Sequence, residues 1–179
     1  MSGLPQVHPA GKPAHSPPDA RHQSITVNHR LTVFIEQPPE FVRKLYPSAV
    51  WRMDPDERAV YLTFDDGPIP EVTPWVLDLL DKYDIKATFF MVGDNIRKHP
   101  DEFQMVVERG HRIGNHTFNH LRGFEYNFKD YLANAEKANE VMKTDLFRPP
   151  HGHMGWTQYM ILKRRYKTVS YTHLTLPTN

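Results

Sequence analysis

The chain has 179 residues, with Lys+Arg 22 against Asp+Glu 21, a net charge of +1, no cysteine and 11 histidines. Hydrophobic content of 39% and aromatic content of 12% are enough for a packed core, which excludes global disorder. Near-neutral charge argues against nucleic acid as a partner, and the missing cysteines exclude disulfides and thiolate chemistry. No apolar run approaches the ~18 residues of a membrane span.

Residues 1–24 hold five prolines and three histidines (His8, His15, His22) and almost nothing that can pack, so they read as a disordered arm rather than a metal-binding tract. One domain is expected from Leu31 onward. Leu31–Ile35 reads as a short strand, and Pro38-Pro39 opens a helix through Tyr46. Ala59–Phe64 is a β-rich apolar run. Val72, Trp75, Val76, Leu79, Leu80 and Tyr83 follow helical spacing, with Thr73 placed to cap and Pro74 at the first position. Lys86–Val92 is the next strand, and Pro100–Arg109 a helix ended by Gly110. His111–Asn115 is a strand, after which Phe128, Tyr131, Leu132, Ala135, Ala138 and Met142 line one helical face. Asp145–Arg148, Trp156–Arg165 and Tyr166–Val169 complete the pattern as strand, helix and strand. This alternation predicts an α/β fold with a parallel sheet, compatible with an open doubly wound sheet or a barrel. Ligands then gather at the carboxyl ends of the strands.

Three segments stand at those ends. Thr63-Phe64-Asp65-Asp66-Gly67-Pro68 reads as an ordinary turn, yet nothing in a turn requires two adjacent carboxylates. A cation would relieve their repulsion, one Asp ligating it while the other serves as base. His116-Thr117-Phe118-Asn119-His120 reads equally as two polar loop histidines or as a metal-binding pair. If the segment is helical, residues four apart share one face. Phe147-Arg148-Pro149-Pro150-His151-Gly152 is a rigid turn in which Arg148 suits the holding of an ionised carboxylate. The fixed Pro-Pro backbone can aim a following amide at an oxyanion. Taken together, two Asp, two His and one Arg at three strand ends specify metal-assisted hydrolysis.

TFDDGP, HTFNH and RPPHG in this order resemble the polysaccharide deacetylase (NodB-homology, carbohydrate esterase family 4) domain over roughly Leu31 to Val169. The resemblance implies an irregular (β/α)7 barrel that hydrolyses acetyl groups from N- or O-acetylated polysaccharides, acting as a monomer when complete. It implies one divalent metal, most often Zn2+, with Co2+, Ni2+, Fe2+ or Mn2+ as substitutes. It assigns Asp65 as catalytic base, Asp66, His116 and His120 as metal ligands, and Arg148 as the residue orienting the base. Pro150, His151 and Gly152 fall at the oxyanion and substrate wall, where the family usually carries Tyr in place of His151.

The sequence departs from the family after Val169. A Trp/Asp segment and a Leu-x-His segment, whose His serves as general acid, are not found, and His173 does not match that context. Residues 170–179 read as a non-native read-through tail. Leu31–Val169 is therefore expected to be a C-terminally truncated barrel, with impaired activity and exposed edges that favour aggregation. A non-catalytic carbohydrate-binding domain or pseudoenzyme is the alternative, and an interaction module built on the Pro-rich arm is a weaker one. No export signal is evident, so the default location is cytoplasmic, with the cell envelope or exterior also compatible.

Overall fold

The computed structural model describes residues 39–51, 53 and 59–170. The arm at 1–24, the strand expected at Leu31–Ile35 and the tail beyond Ser170 lie outside the described residues. In chain order the elements are α1 (Glu40–Leu45), β1 (Thr63–Asp65), α2 (Val72–Lys82), β2 (Thr88–Met91), α3 (Gly93–Lys98), α4 (Pro100–Glu108) and β3 (Arg112–Asn115). These are followed by a 3-10 turn at Gly123–Glu125, α5 (Phe128–Met142), β4 (Leu146–Phe147), a second 3-10 turn at Pro150–Gly152, α6 (Trp156–Leu162) and β5 (Lys167–Thr168).

The sheet is wholly parallel and its spatial order follows the sequence, β1-β2-β3-β4-β5. Among the described residues it has five strands, against the seven of the expected barrel. It is also strongly curved. Neighbouring strands lie ~4.8 Å apart, so in a flat sheet β4 would stand three such spacings from β1. Yet Arg148, just past β4, donates to Thr63 Oγ1 on β1 at 2.9 Å. The concave side encloses a cavity of about 250 Å³ lined by Thr63, Thr88, Phe90, Leu146, Arg148 and Val169, among others.

The convex side carries the core in two parts. Leu77, Leu80, Phe89, Met91, Ile96 and Val106 pack helices α2–α4 against the first strands. Tyr131, Ala135, Phe147, Tyr159, Leu162 and Tyr166 do the same for α5 and α6. The side chain of Asn127 caps α5 by accepting from the N–H groups of Lys129 and Asp130. Gly110 ends the α4 segment with φ 73°, as the sequence predicts. No helix among the described residues is long and apolar enough to cross a membrane.

Two local expectations need correction. The strand expected at Ala59–Phe64 is confined to Thr63–Asp65, and Val60 and Tyr61 are exposed. Among the described residues β1 pairs with β2 through Thr63, Phe64 and Asp65, and the preceding run adds one ladder bond, from Thr88 N–H to the Leu62 carbonyl at 3.0 Å. Helix α2 begins at Val72, with Thr73 inside it rather than capping it from outside; Thr73 Oγ1 accepts the Ile69 N–H at 2.8 Å. Its buried face is Thr73, Leu77 and Leu80, whereas Val72, Trp75, Leu79 and Tyr83 face outward. Two apolar stripes compete on this helix, and contact with α4 and the sheet selects between them.

Candidate active site

Alternation along a strand sends consecutive side chains to opposite faces. Asp65 and Asp66 escape that rule because Asp66 leaves β1 with φ 71°, a left-handed backbone that short polar side chains tolerate. The kink is held at both ends: Asp66 N–H donates to Phe90 C=O at 3.1 Å, and Asp66 C=O accepts from Asn95 Nδ2 at 2.6 Å. The two carboxylates then serve different partners.

Asp65 turns into the concave face, where Arg148 Nη1 donates to its Oδ1 at 2.8 Å. Arg148 is 3% exposed, and its guanidinium lies 4.0 Å over the Phe90 ring. That stack leaves room only because residue 114 is glycine; a Cβ there would meet Phe90 at 2.3 Å. Asp65 is thereby kept in reach of a fixed positive charge.

Asp66 turns to the histidines. Its Oδ1 stands 3.0 Å from His120 Nε2 and 3.4 Å from His116 Nε2. The ligand atoms of Asp66, His116 and His120 all lie within 4.8 Å of one another. His116 is fully buried, and its Nδ1 donates to the Arg148 carbonyl at 2.7 Å, which turns Nε2 towards Asp66. The hydrogen bond from His116, aided by the charges of His120, His116 and His151, holds the Asp66 carboxyl below its ordinary range against the opposing effect of burial. Burial pushes His120 below the usual imidazole value, towards the neutral form that binds metal. Two imidazoles and one carboxylate, one ring locked by an outer hydrogen bond, fit a divalent first-row ion with open positions.

The histidine segment is a loop and not a helix. Thr117 and His120 have φ 63° and 55°, which no helix accepts, yet these reversals bring both rings to Asp66. The loop is clasped by two asparagines: the buried Asn115 Oδ1 accepts the Thr117 N–H, and the half-buried Asn134 Oδ1 accepts those of Phe118 and Asn119. On its other side Gly93 and Asp94 N–H donate to the carbonyls of Thr117 and Phe118 at 3.0 and 2.9 Å. Beside the triad opens a cleft of about 380 Å³ lined by Asp66, Val92, Asp94, Asn95, Asn119 and His120.

Residues 52–169 match the sequence profile described as polysaccharide deacetylase, over more than half the chain. The chain belongs to the polysaccharide deacetylase family. It is 38% identical over 125 residues to the peptidoglycan-N-acetylglucosamine deacetylase of Bacillus cereus, covering 66% of this chain and 59% of that relative. The fold resembles that of Bacillus subtilis PdaA, a family 4 carbohydrate esterase, with TM-score 0.67, 27% identity, and coverage of 77% of this chain and 64% of the other. It likewise resembles the Bc1960 peptidoglycan N-acetylglucosamine deacetylase, with TM-score 0.66, 30% identity, and coverage of 75% and 65%. The chain thus spans somewhat under two thirds of these polysaccharide deacetylases.

The structure brings Asp65, Asp66, His116, His120 and Arg148 together. His151 joins them, its ring 4.6 Å from that of His120. Pro150 is buried and Gly152 exposed, in the turn that carries His151 at φ 57°. Sequence reasoning did not single out Thr63, Phe90, Asn95, Gly93, Gly114, Asn115 or Asn134. The one local signal was the glycine that opens α3, a breaker that marks close backbone approach.

Proposed function

We propose that this domain is a metal-dependent hydrolase removing acetyl groups from an N-acetylated, or O-acetylated, carbohydrate. One observation carries the reading: Asp65 and Asp66, adjacent in sequence, are split between a buried arginine and a pair of histidines. Asp66, His116 and His120 would hold a divalent ion such as Zn2+, which when bound would supply Lewis-acid polarisation and acidify water.

Asp65 is the base. Arg148 occupies its Oδ1, which fixes the carboxylate's orientation while the other oxygen takes the proton of the attacking water. The same imidazoles that would share an ion with Asp66 hold its carboxyl below the ordinary range. In the Pro150–Gly152 turn, the N–H groups of Gly152 and His153 are spent on the carbonyls of Pro149 and Pro150. The His151 amide lies outside these turn bonds, and we assign it to the oxyanion, with Pro150 and Gly152 holding the turn. The names of the two peptidoglycan N-acetylglucosamine deacetylases among the relatives favour an amino-sugar polymer as substrate class.

The test uses protein loaded with Zn2+ and tetra-N-acetylchitotetraose, reading bound metal and released acetate. Asp66→Ala is expected to lose metal, and Asp65→Asn to keep metal while losing turnover. Full metal occupancy in Asp66→Ala would overturn the ligand assignment. Saccharide binding without acetate release in the loaded wild type would support the non-catalytic alternative.

A further inference from the structure

A file of rings continues outward from the triad. The His116 and His120 rings are 5.1 Å apart, His120 and His151 4.6 Å, His151 and His153 6.1 Å, and His153 and Phe124 5.3 Å at an interplanar angle of 36°. At its outer end Phe124 is 67% exposed, and His151 and His153 are exposed as well.

Burial of the underlying backbone shows that this is a fixed platform. Gly123 N–H donates to His153 C=O at 3.1 Å, and a Cβ at Gly123 would lie 2.4 Å from that oxygen, so the two turns meet in a way only glycine permits. Gln158, 5% exposed, donates to the carbonyls of Gly123 at 2.7 Å and Tyr126 at 2.9 Å, and accepts the Gly155 N–H at 2.8 Å. One buried amide therefore ties the Phe124 turn to the His153 segment. An aromatic face held on such a base, with its cost of exposure unrelieved within the described residues, is preorganised for a ligand.

We propose that Phe124, His153 and His151 form a subsite for the sugar ring flanking the one that presents its acetyl group at Asp65 and Asp66. The Phe124 face would stack on the C–H face of a pyranose. The imidazoles supply both ring surface and N–H or lone-pair groups for hydroxyls, a mixture that suits carbohydrate better than an apolar protein surface. The file is several rings long and ends on the protein surface, so it reads oligomer rather than monosaccharide. The subsite rests on the deacetylase reading for the class of its ligand.

The experiment compares wild type, Phe124→Ala, Phe124→Trp and His153→Ala, each loaded with Co2+, by calorimetric titration with tetra-N-acetylchitotetraose and with N-acetylglucosamine. The Co2+ absorption bands report whether the metal centre is intact. Phe124→Ala should bind the tetrasaccharide about tenfold more weakly, a loss typical of a removed aromatic anchor, with unchanged affinity for the single sugar and unchanged bands. Phe124→Trp should restore tetrasaccharide affinity. Equal affinity in wild type and Phe124→Ala, or equal losses for both sugars, would overturn the subsite. Wild type that binds Co2+ and releases acetate but shows no preference for tetrasaccharide over monosaccharide would overturn the subsite alone. Tetrasaccharide preference that depends on Phe124, without acetate release, would sustain the subsite and overturn the deacetylase reading.

Discussion

Arg148 and Asp65, 83 residues apart, meet through a 2.8 Å hydrogen bond across the concave side of the sheet, with the guanidinium sandwiched against Phe90. The pair depends on curvature, since β1 and β4 are not neighbours in the sheet. It also depends on Gly114, which leaves the space that the Phe90 ring fills. Gly114→Ala should push Phe90 from beneath Arg148 and loosen the base without touching any ligand atom. Turnover should fall by about 10²-fold, the lower end for a positioned acid–base group, while Zn2+ stoichiometry stays unchanged. Phe90→Leu should do the same more mildly, because the cation–π contribution is only about 0.5–2 kcal/mol. Wild-type turnover in both variants would show that Asp65 does not need this support.

The candidate metal site has a separate dependence on Gly93. A Cβ at that position would stand 2.5 Å from the Phe118 ring and 3.1 Å from its Cα, inside the loop that carries both histidines. The neighbouring N–H groups of Gly93 and Asp94 hold the same loop through Thr117 and Phe118. Gly93→Ala should therefore displace His120 relative to Asp66. Co2+ affinity should drop by about 10–100-fold, as for other losses of outer-shell support. A Co2+ titration indistinguishable from wild type would mean that the loop absorbs the added methyl group.

The candidate site residues are legible because strand ends in a parallel α/β sheet are where ligands gather. Asp65, Asp66, His116, His120 and Arg148 all occur there in short motifs. Their supports were not legible. Phe90 looks like any apolar strand residue, and its contact with Arg148 exists only once β2 and β4 curve towards each other. The histidine pair was readable as metal-binding through helical spacing, but the backbone reaches the same convergence through left-handed turns at Thr117 and His120. On α2, apolar spacing described two stripes, and the buried one, through Thr73, Leu77 and Leu80, was fixed by tertiary contact. Helix α3 was missed because Ile96 alone among its residues is a buried large apolar side chain.

His111 makes stability depend on pH. It is 7% exposed, its Nδ1 accepts the Ala87 N–H at 3.3 Å, and its ring packs on Phe89. Burial, helped by the charges of Lys86 and Arg109 and opposed by Asp81, lowers its pKa below the ordinary imidazole value. As pH falls through about 6.5, the unfolded chain takes up a proton that the folded chain refuses, so stability falls. The contribution is complete above that pH and is lost progressively below it, until the folded imidazole also protonates. His111→Asn retains an acceptor for Ala87 and cannot titrate. Urea midpoints at pH 7.5 and 5.5 should therefore differ less for this variant than for wild type; equal differences would exclude His111 as a cause.

Helix α5 separates stability from metal binding. At its start, Asn127 Oδ1 accepts the N–H groups of Lys129 and Asp130, each at 3.0 Å. Two turns on, Asn134 Oδ1 accepts those of Phe118 and Asn119 at 2.8 and 2.9 Å. Asn127→Ala should cost about 1 kcal/mol, the usual effect of a lost N-cap, and lower the melting temperature. Fraying of one turn does not reach Asn134, so Co2+ affinity should stay at the wild-type value. Asn134→Ala should instead leave two loop amides without an acceptor and weaken Co2+ binding, whatever its effect on melting. If Asn127→Ala weakened Co2+ binding as much as Asn134→Ala, the helix would be transmitting its terminal fraying to the histidine loop, and the two roles would not be separable.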